Sequence, residues 1–536
     1  MSNPRRQRNN LNSHNLQIPE PLTLVQPAHR LHQSSMHFIL KFAFTALLLS
    51  KTGYANAETL LSEFKPCRIG SVPMSVSAEC AELTVSFTHD LTAGSTGSTA
   101  GVSEAQKEIP QTLTLAIAKI SARSNQPAQD PVTLLAGGPG QSATDSWPQI
   151  QAAFYPILAN RDVYLIDQRG TGNSARMDCD SPPAEQSMSL DPEVVQRTAK
   201  QCFDKQTLAT EWFTTSVAVR DLDAARDALD IEQWNLYGVS YGTRVAQHYL
   251  RRYPERTRSV ILDAVVAPQK PLGPEIPLYA QIALDALFER CSNSDGCAQA
   301  FPELAKITNQ LFDSLNDTPR TVQFEKVSHG TLESMEFSAE HLASTVRLLS
   351  YSSYGTAILP SMLYDAAINN NLAPFARQSN MLTRQLGGSL ATGMHSTVFC
   401  TEDAPRTSEI DKSQLQKSYL GDSIIDTTRA NCDPWPVGVI DNDFFEPVVS
   451  DVPVLALSGA VDPITPPAYA ALAIESLSNS RHIVNKHQGH TQAPLGCMPT
   501  IMSQFIETAN PESLNVECLE RLSPPALFID ANGPLP

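Results

Sequence analysis

The run Trp234-Asn235-Leu236-Tyr237-Gly238-Val239-Ser240-Tyr241-Gly242-Thr243 limits what this chain can fold into more than any other stretch. A short apolar segment stops at Gly238, Ser240 stands between two glycines, and a helical pattern opens behind it with Val245 and Tyr249 one turn apart. A G-x-S-x-G segment in that setting is a strand-turn-helix elbow. The turn is so tight that the serine backbone is strained, and the residues two before and two after it must be small. The elbow lifts the Ser240 hydroxyl above a sheet and beside a helix start, where the N–H of Tyr241 can help hold an oxyanion. The same five positions also occur as a plain glycine-rich turn. Only partners elsewhere in the chain make Ser240 a nucleophile.

The segments around the elbow read as layers of strand and helix. Residues 83–90 and Thr112–Ile120 alternate as half-buried strands, with a Gly/Ser/Thr-rich loop at 92–103 between them. Val132–Leu135 is a buried strand that runs into Gly137-Gly138-Pro139-Gly140-Gln141, a turn whose backbone N–H groups can approach a ligand closely. It lacks the Lys and Ser/Thr of a phosphate loop, so nucleotide binding is not expected, and Gly138 N–H becomes the natural second oxyanion donor. Asp162–Ile166 is another buried strand, ending in Asp167-Gln168-Arg169-Gly170-Thr171-Gly172-Asn173-Ser174, where Asp167 and Arg169 are expected to brace the loop. Ala218, Leu222, Ala225 and Leu229 recur at helical spacing, and Ser259–Val266 is one more apolar run. Unbroken apolar strands alternating with helices predict a mostly parallel sheet covered on both faces.

That alternation breaks at Pro268, Pro271, Pro274 and Pro277 and returns only at Val452–Gly459. Helical spacing persists between, as at Leu342, Val346 and Leu349, so residues 268–449 are expected to form a mainly helical cap. The remaining divisions are a leader at 1–57, a first core part at 58–267 and a second at 450–536.

A serine alcohol needs a base, and the base needs an orienting acid. In a sheet of this kind they follow in the order Ser, Asp or Glu, His. Strand 452–457 leads into Gly459-Ala460-Val461-Asp462-Pro463, which puts Asp462 just past a strand end. Only His482, His487 and His490 follow it. His482 lies within the strand expected at 481–485. His490, after Gly489 and before the final helix, is the better base, with His487 the alternative.

Composition bounds the chemistry. The 536 residues are 42% hydrophobic and 18% charged, which suits a globular chain with a large core. Net charge is −17, and six Lys/Arg against one Glu in the first 57 residues leave the rest at −22. Such a body lacks the basic face that nucleic acid or an anionic membrane surface requires. Lys41, the apolar run 42–49 and Ala55-Asn56-Ala57 read as a secretory signal peptide cleaved near Ala57, with Met36 a possible alternative start. No cysteine closely follows that site and no other long apolar run occurs, so an exported protein without a stable membrane anchor is expected, periplasmic or secreted. All ten cysteines lie beyond the cleavage site in neighbouring pairs, predicting Cys67–Cys80, Cys179–Cys202, Cys291–Cys297, Cys400–Cys432 and Cys497–Cys518. No C-x-x-C or H-E-x-x-H spacing is present, so neither a metal nor a cofactor is expected.

Taken together, the motifs resemble those of secreted α/β-hydrolases of the proline iminopeptidase and tripeptidyl aminopeptidase group. The matching stretches are Gly137–Gly140, Asp167–Ser174, Gly238–Gly242, Asp462-Pro-Ile-Thr-Pro-Pro and Gly489-His490. Leu287–Cys291 with Cys297, Cys400-Thr401-Glu402, and Cys432 with Trp435 are similar to the cap and C-terminal segments of the tripeptidyl branch. Ala136 departs from the short proline iminopeptidase branch, where many members carry His. The resemblance implies an α/β-hydrolase fold and release of residues from free peptide N-termini, with peptides as the partners. It also implies a buried carboxylate to receive the terminal ammonium, for which Glu402 is the candidate and Asp403 the second. A serine at the elbow excludes the aspartate-nucleophile epoxide hydrolases and dehalogenases. The rival readings are a carboxylesterase or lipase on the same fold, which needs no ammonium acceptor, and a binding protein without catalysis.

Overall fold

The computed structural model describes residues 59–70, 74–89, 107–180, 189–325, 330–530 and 532–534. The leader, its cleavage site and the loop at 92–103 lie outside the described residues.

Ten strands form one sheet: β1 (Leu60–Leu61), β2 (Lys65–Ile69), β3 (Val76–Ser86), β4 (Thr112–Ile120), β5 (Val132–Leu135), β6 (Val163–Ile166), β7 (Trp234–Val239), β8 (Thr257–Asp263), β11 (Val454–Gly459) and β12 (Ser480–Asn485). The hairpin strands β9 (Arg320–Glu325) and β10 (Leu332–Phe337) stand apart in the cap. The order across the sheet is β1-β3-β4-β6-β5-β7-β8-β11-β12, with β2 also on β3. Strands β6-β5-β7-β8-β11-β12 run parallel, β4 pairs with β6 antiparallel, and β3 pairs with β4 antiparallel. The difference is visible in the side chains. β5, β6 and β11 are buried at every position, whereas β3 alternates.

Successive residues of the central strands feed two separate cores. Leu236, Val260, Leu262 and Ala456 face one, while Tyr237, Ile261, Leu455 and Leu457 face the other. A third core belongs to the segment between β8 and β11, built on Leu284, Leu287, Leu342, Val346 and Leu363. That segment is mostly helical, as its spacing predicts, but it also contains the antiparallel pair β9–β10. The hairpin follows from alternation that is easily overlooked beside long helices: Val322, Phe324, Met335 and Phe337 point inward and their neighbours outward.

All five expected cysteine pairs are bonded. Cys400–Cys432 matters most for the site, because it ties the helix Thr392–Glu402, which ends at Glu402, to the helix Ser423–Cys432. Among the described residues no helix is long and apolar enough to cross a membrane.

Candidate active site

Ser240 is the only residue between β7 and the helix Tyr241–Arg252, and its backbone sits at φ 54° and ψ −125°. That is a conformation an L-residue holds only when its surroundings force it. The forcing contacts are explicit. A Cβ on Gly238 would stand 2.4 Å from the Gly242 carbonyl oxygen, and one on Gly242 would stand 2.0 Å from that of Leu135. The glycine-rich loop packs directly on the elbow, since a Cβ on Gly137 would meet the Ser240 Cβ at 3.1 Å. Gly138 has φ +105°, and the first N–H groups of the helix at Tyr241 have no intrahelical acceptor. Both expected oxyanion donors therefore belong to segments in contact with the elbow.

Parallel strands deliver their C-terminal ends to one edge. Val239 pairs with Asp263 and Asp263 with Leu457, so the loops after β7, β8 and β11 emerge together. Asp462 lies on the last of these, and its Oδ2 is 2.8 Å from His490 Nδ1. Asp462 also accepts from the N–H groups of Ile464 and Thr465 and from the Thr465 hydroxyl, which fixes the carboxylate. Burial opposes charge on His490, but the Asp462 carboxylate outweighs it and raises the imidazole above its ordinary 6.5. His482 instead contacts the Ser458 hydroxyl at 2.9 Å, and His487 lies exposed on the loop before Gln488. Of the three histidines, His490 alone meets Asp462.

Glu402 closes a chain of hydrogen bonds beneath the elbow. Gln168 donates to the Tyr241 hydroxyl at 3.1 Å, Tyr241 and Thr215 hydroxyls are 2.6 Å apart, and Thr215 donates from both Oγ1 and N–H to Glu402. Glu402 and Asp403 are both fully buried and share the guanidinium of Arg244, at 3.6 and 2.8 Å. Burial pushes the Glu402 carboxyl up to about 7 against the pull of Arg244. Arg169 and Asp167 brace loops, as their positions suggest. Arg169 makes a two-point ion pair with Asp221, and Asp167 accepts from Ser142, Thr144 and Asn173. Among the described residues no group of three or more His, Cys, Asp or Glu side chains is placed to hold a metal ion.

Residues 130–494 match the family described as the alpha/beta hydrolase fold. This chain is an α/β-hydrolase. Among its relatives, a tripeptidyl aminopeptidase of Streptomyces coelicolor is 29% identical over 170 residues, 28% of this chain and 31% of that protein. The serine protease Hip1 of Mycobacterium tuberculosis is 29% identical over 203 residues, 34% and 39% of the two chains. A proline iminopeptidase of Neisseria meningitidis is 27% identical over 142 residues, 26% and 34%. The chain thus matches roughly a third of the length of each of these relatives.

Three features of this hydrolase escape a reading of its motifs. Asp263, the last residue of β8, is buried and accepts from the Tyr237 hydroxyl at 2.8 Å and from the N–H groups of Gln492 and Ala493 at 2.7 and 2.8 Å. A lone carboxylate in the apolar run Ser259–Val266 is the signal that could have found it. Gly459 and Gly489 touch: a Cβ on Gly459 would lie 2.0 Å from the Gly489 carbonyl oxygen. Tyr351, from the cap, accepts the His490 N–H at 2.8 Å and sets its ring 5.1 Å from the imidazole.

Proposed function

We propose that this hydrolase is an exported serine aminopeptidase that releases proline or short peptides from free peptide N-termini through an acyl-enzyme, with the tripeptidyl type favoured. The observation that carries the reading is the Asp462–His490 hydrogen bond, formed at the same sheet edge as the strained Ser240 elbow. In this mechanism Ser240 Oγ attacks the scissile carbonyl while His490 Nε2 takes the hydroxyl proton and Asp462 holds the imidazole by Nδ1. The N–H groups of Tyr241 and Gly138 receive the oxyanion, where loss of one such donor costs about a hundred- to a thousandfold in rate. The proton then passes to the leaving amine, and water, activated by the same histidine, hydrolyses the ester.

The peptidase side of the reading draws support from the peptidase names of the relatives and from the pair of buried carboxylates that share one guanidinium. A carboxylate offers about four lone-pair sites, so Glu402 retains acceptor capacity beyond Thr215, and an arriving ammonium would supply a second cation to the pair. Export fits five disulfides, which persist in an oxidising compartment. Residues 58–267 and 450–536 are the catalytic core in this reading, and 268–449 the cap that limits access.

The test is hydrolysis of a matched chromogenic panel: Pro-anilide, a tripeptidyl anilide, the same tripeptide N-acetylated, and a short acyl ester. Each is run with the native protein and Ser240→Ala. Cleavage of free-amine peptides but not the acetylated one, abolished by Ser240→Ala, is the expected result. Turnover of the ester alone overturns the peptidase reading.

A further inference from the structure

A cavity of about 470 Å³ opens where the cap meets the two loops that carry Asp462 and His490. Ser240, Asp462 and His490 do not line it. One wall is the helix Ile276–Ser292, which contributes Ala283, Leu287 and Arg290; the opposite wall is Val461 with Lys486 and His487. Its size lies within the roughly 300–1,000 Å³ of small-molecule sites, and apolar walls with a few convergent polar groups are their usual make-up.

The charges in it are unbalanced. Arg290 is half-buried, its guanidinium donates to the Pro525 carbonyl, and among the described residues no carboxylate forms an ion pair with it. Burial lowers its pKa with no acidic neighbour to offset the effect. Lys486 likewise forms no ion pair among the described residues. The single acidic group of the lining is Glu289, an exposed side chain, so the cavity is net positive inside a chain of net charge −17. His487, which the acid of the candidate triad leaves unused, faces this space.

We propose that this cavity binds a carboxylate attached to an apolar body, with Arg290 and Lys486 receiving the carboxylate and Ala283, Leu287 and Val461 the apolar part. A planar guanidinium matches a carboxylate with two parallel hydrogen bonds, and burial in a partly apolar wall strengthens them. Two sources share that chemistry: a free acyl amino acid, and the C-terminal residue of a short peptide. Because Val461 N–H donates to the Gln488 carbonyl at 3.2 Å, a bound carboxylate would hold the cap helix against the paired loops that lead to Asp462 and His490.

The experiment reads binding without turnover and so stands apart from the peptidase reading. Isothermal titration of the native protein, Arg290→Gln and Lys486→Gln with N-acetyl-leucine and with N-acetyl-leucine amide is the measurement. The acid should bind the native protein about tenfold or more tighter than the amide, and each substitution should remove most of that difference. Lys486 is an exposed side chain, so its variant keeps the test valid if Arg290→Gln does not fold. Equal affinity for acid and amide, no heat from either, or an undiminished acid affinity in the variants overturns the site. A parallel comparison of KM for a tetrapeptide and its C-terminal amide separates the sources. A rise on amidation that Lys486→Gln abolishes assigns the site to the peptide terminus, and equal KM values with acid binding intact assign it to a free carboxylate.

Discussion

The backbone N–H of Ser240 donates to the backbone carbonyl of Asp263 at 2.9 Å, which pins the elbow to the end of the neighbouring strand. The side chain of the same Asp263 holds Gln492 and Ala493, two and three residues past His490. One aspartate therefore fixes the spacing between the proposed nucleophile and its base. Asp263→Asn replaces one acceptor oxygen by a donor facing the N–H and O–H groups it now receives. A displacement of the base by an ångström costs about a hundredfold, so kcat should fall by that order with little change in KM. Steady-state kinetics on the preferred substrate of the chromogenic panel checks it.

The same carboxyl has a pH signature. Burial raises Asp263 from its ordinary 3.8 to about 6. A carboxyl raised on folding stabilises the folded state fully below its unfolded value and loses that contribution as pH rises through the folded one. Tyr237 and His490 are the titratable groups that face it. Between about pH 4 and pH 6 the thermal midpoint of the native protein should therefore fall relative to that of Asp263→Asn, which cannot titrate. Parallel midpoints across that range would refute this.

Activity should show the opposite dependence through His490. Its imidazole is raised above 6.5 by Asp462, so the protonated, inactive form persists to higher pH and kcat/KM should fall as pH drops through a value above 6.5. In Asp462→Asn burial and Arg347 lower the imidazole against only the weaker pull of Asp263. The acid limb should then move to lower pH, with kcat reduced by about ten-thousandfold, as in comparable triads. A pH profile from 5 to 9 on both proteins, with those limits chosen to span roughly the His range, decides it.

Gly459→Ala tests the contact between the acid and base loops. The new methyl would meet backbone oxygens of Gly489 and Gln488 at 2.0 and 2.2 Å, and backbone cannot swing aside as a side chain can. Overpacking of this kind costs about 1–3 kcal/mol or more. Both stability and kcat should drop, read by chemical denaturation and by turnover.

Glu402→Gln keeps an acceptor for Thr215 N–H but removes the charge. Rates toward free-amine peptides should fall by about tenfold or more, given the strength of charge-assisted bonds, while ester turnover stays unchanged. An equal loss on both substrates would make Glu402 a brace for the Tyr241 helix start and nothing more.

The elbow was legible because its demands are local: a strained turn flanked by residues without side chains leaves the same mark wherever it occurs. The disulfides were legible for a related reason, since each joins cysteines separated by at most 32 residues. Asp462 and His490 were legible by chain order, each at the end of an apolar run. Tyr351 and Arg244 were not. Their partners lie 139 and 159 positions away, and neither sits in a pattern that marks its role.

What the sequence determined by itself was which segments become buried strands, covered helices and tight turns, because burial period and turn chemistry are set within about ten residues. Only the tertiary structure decided which strand ends lie side by side, and hence that Asp263 joins Ser240 to the His490 loop and that Glu402 lies beneath Tyr241. Those choices depend on strand order and on how the cap settles over the sheet edge. Both are outcomes of packing between segments hundreds of residues apart in the chain, and no local spacing encodes them.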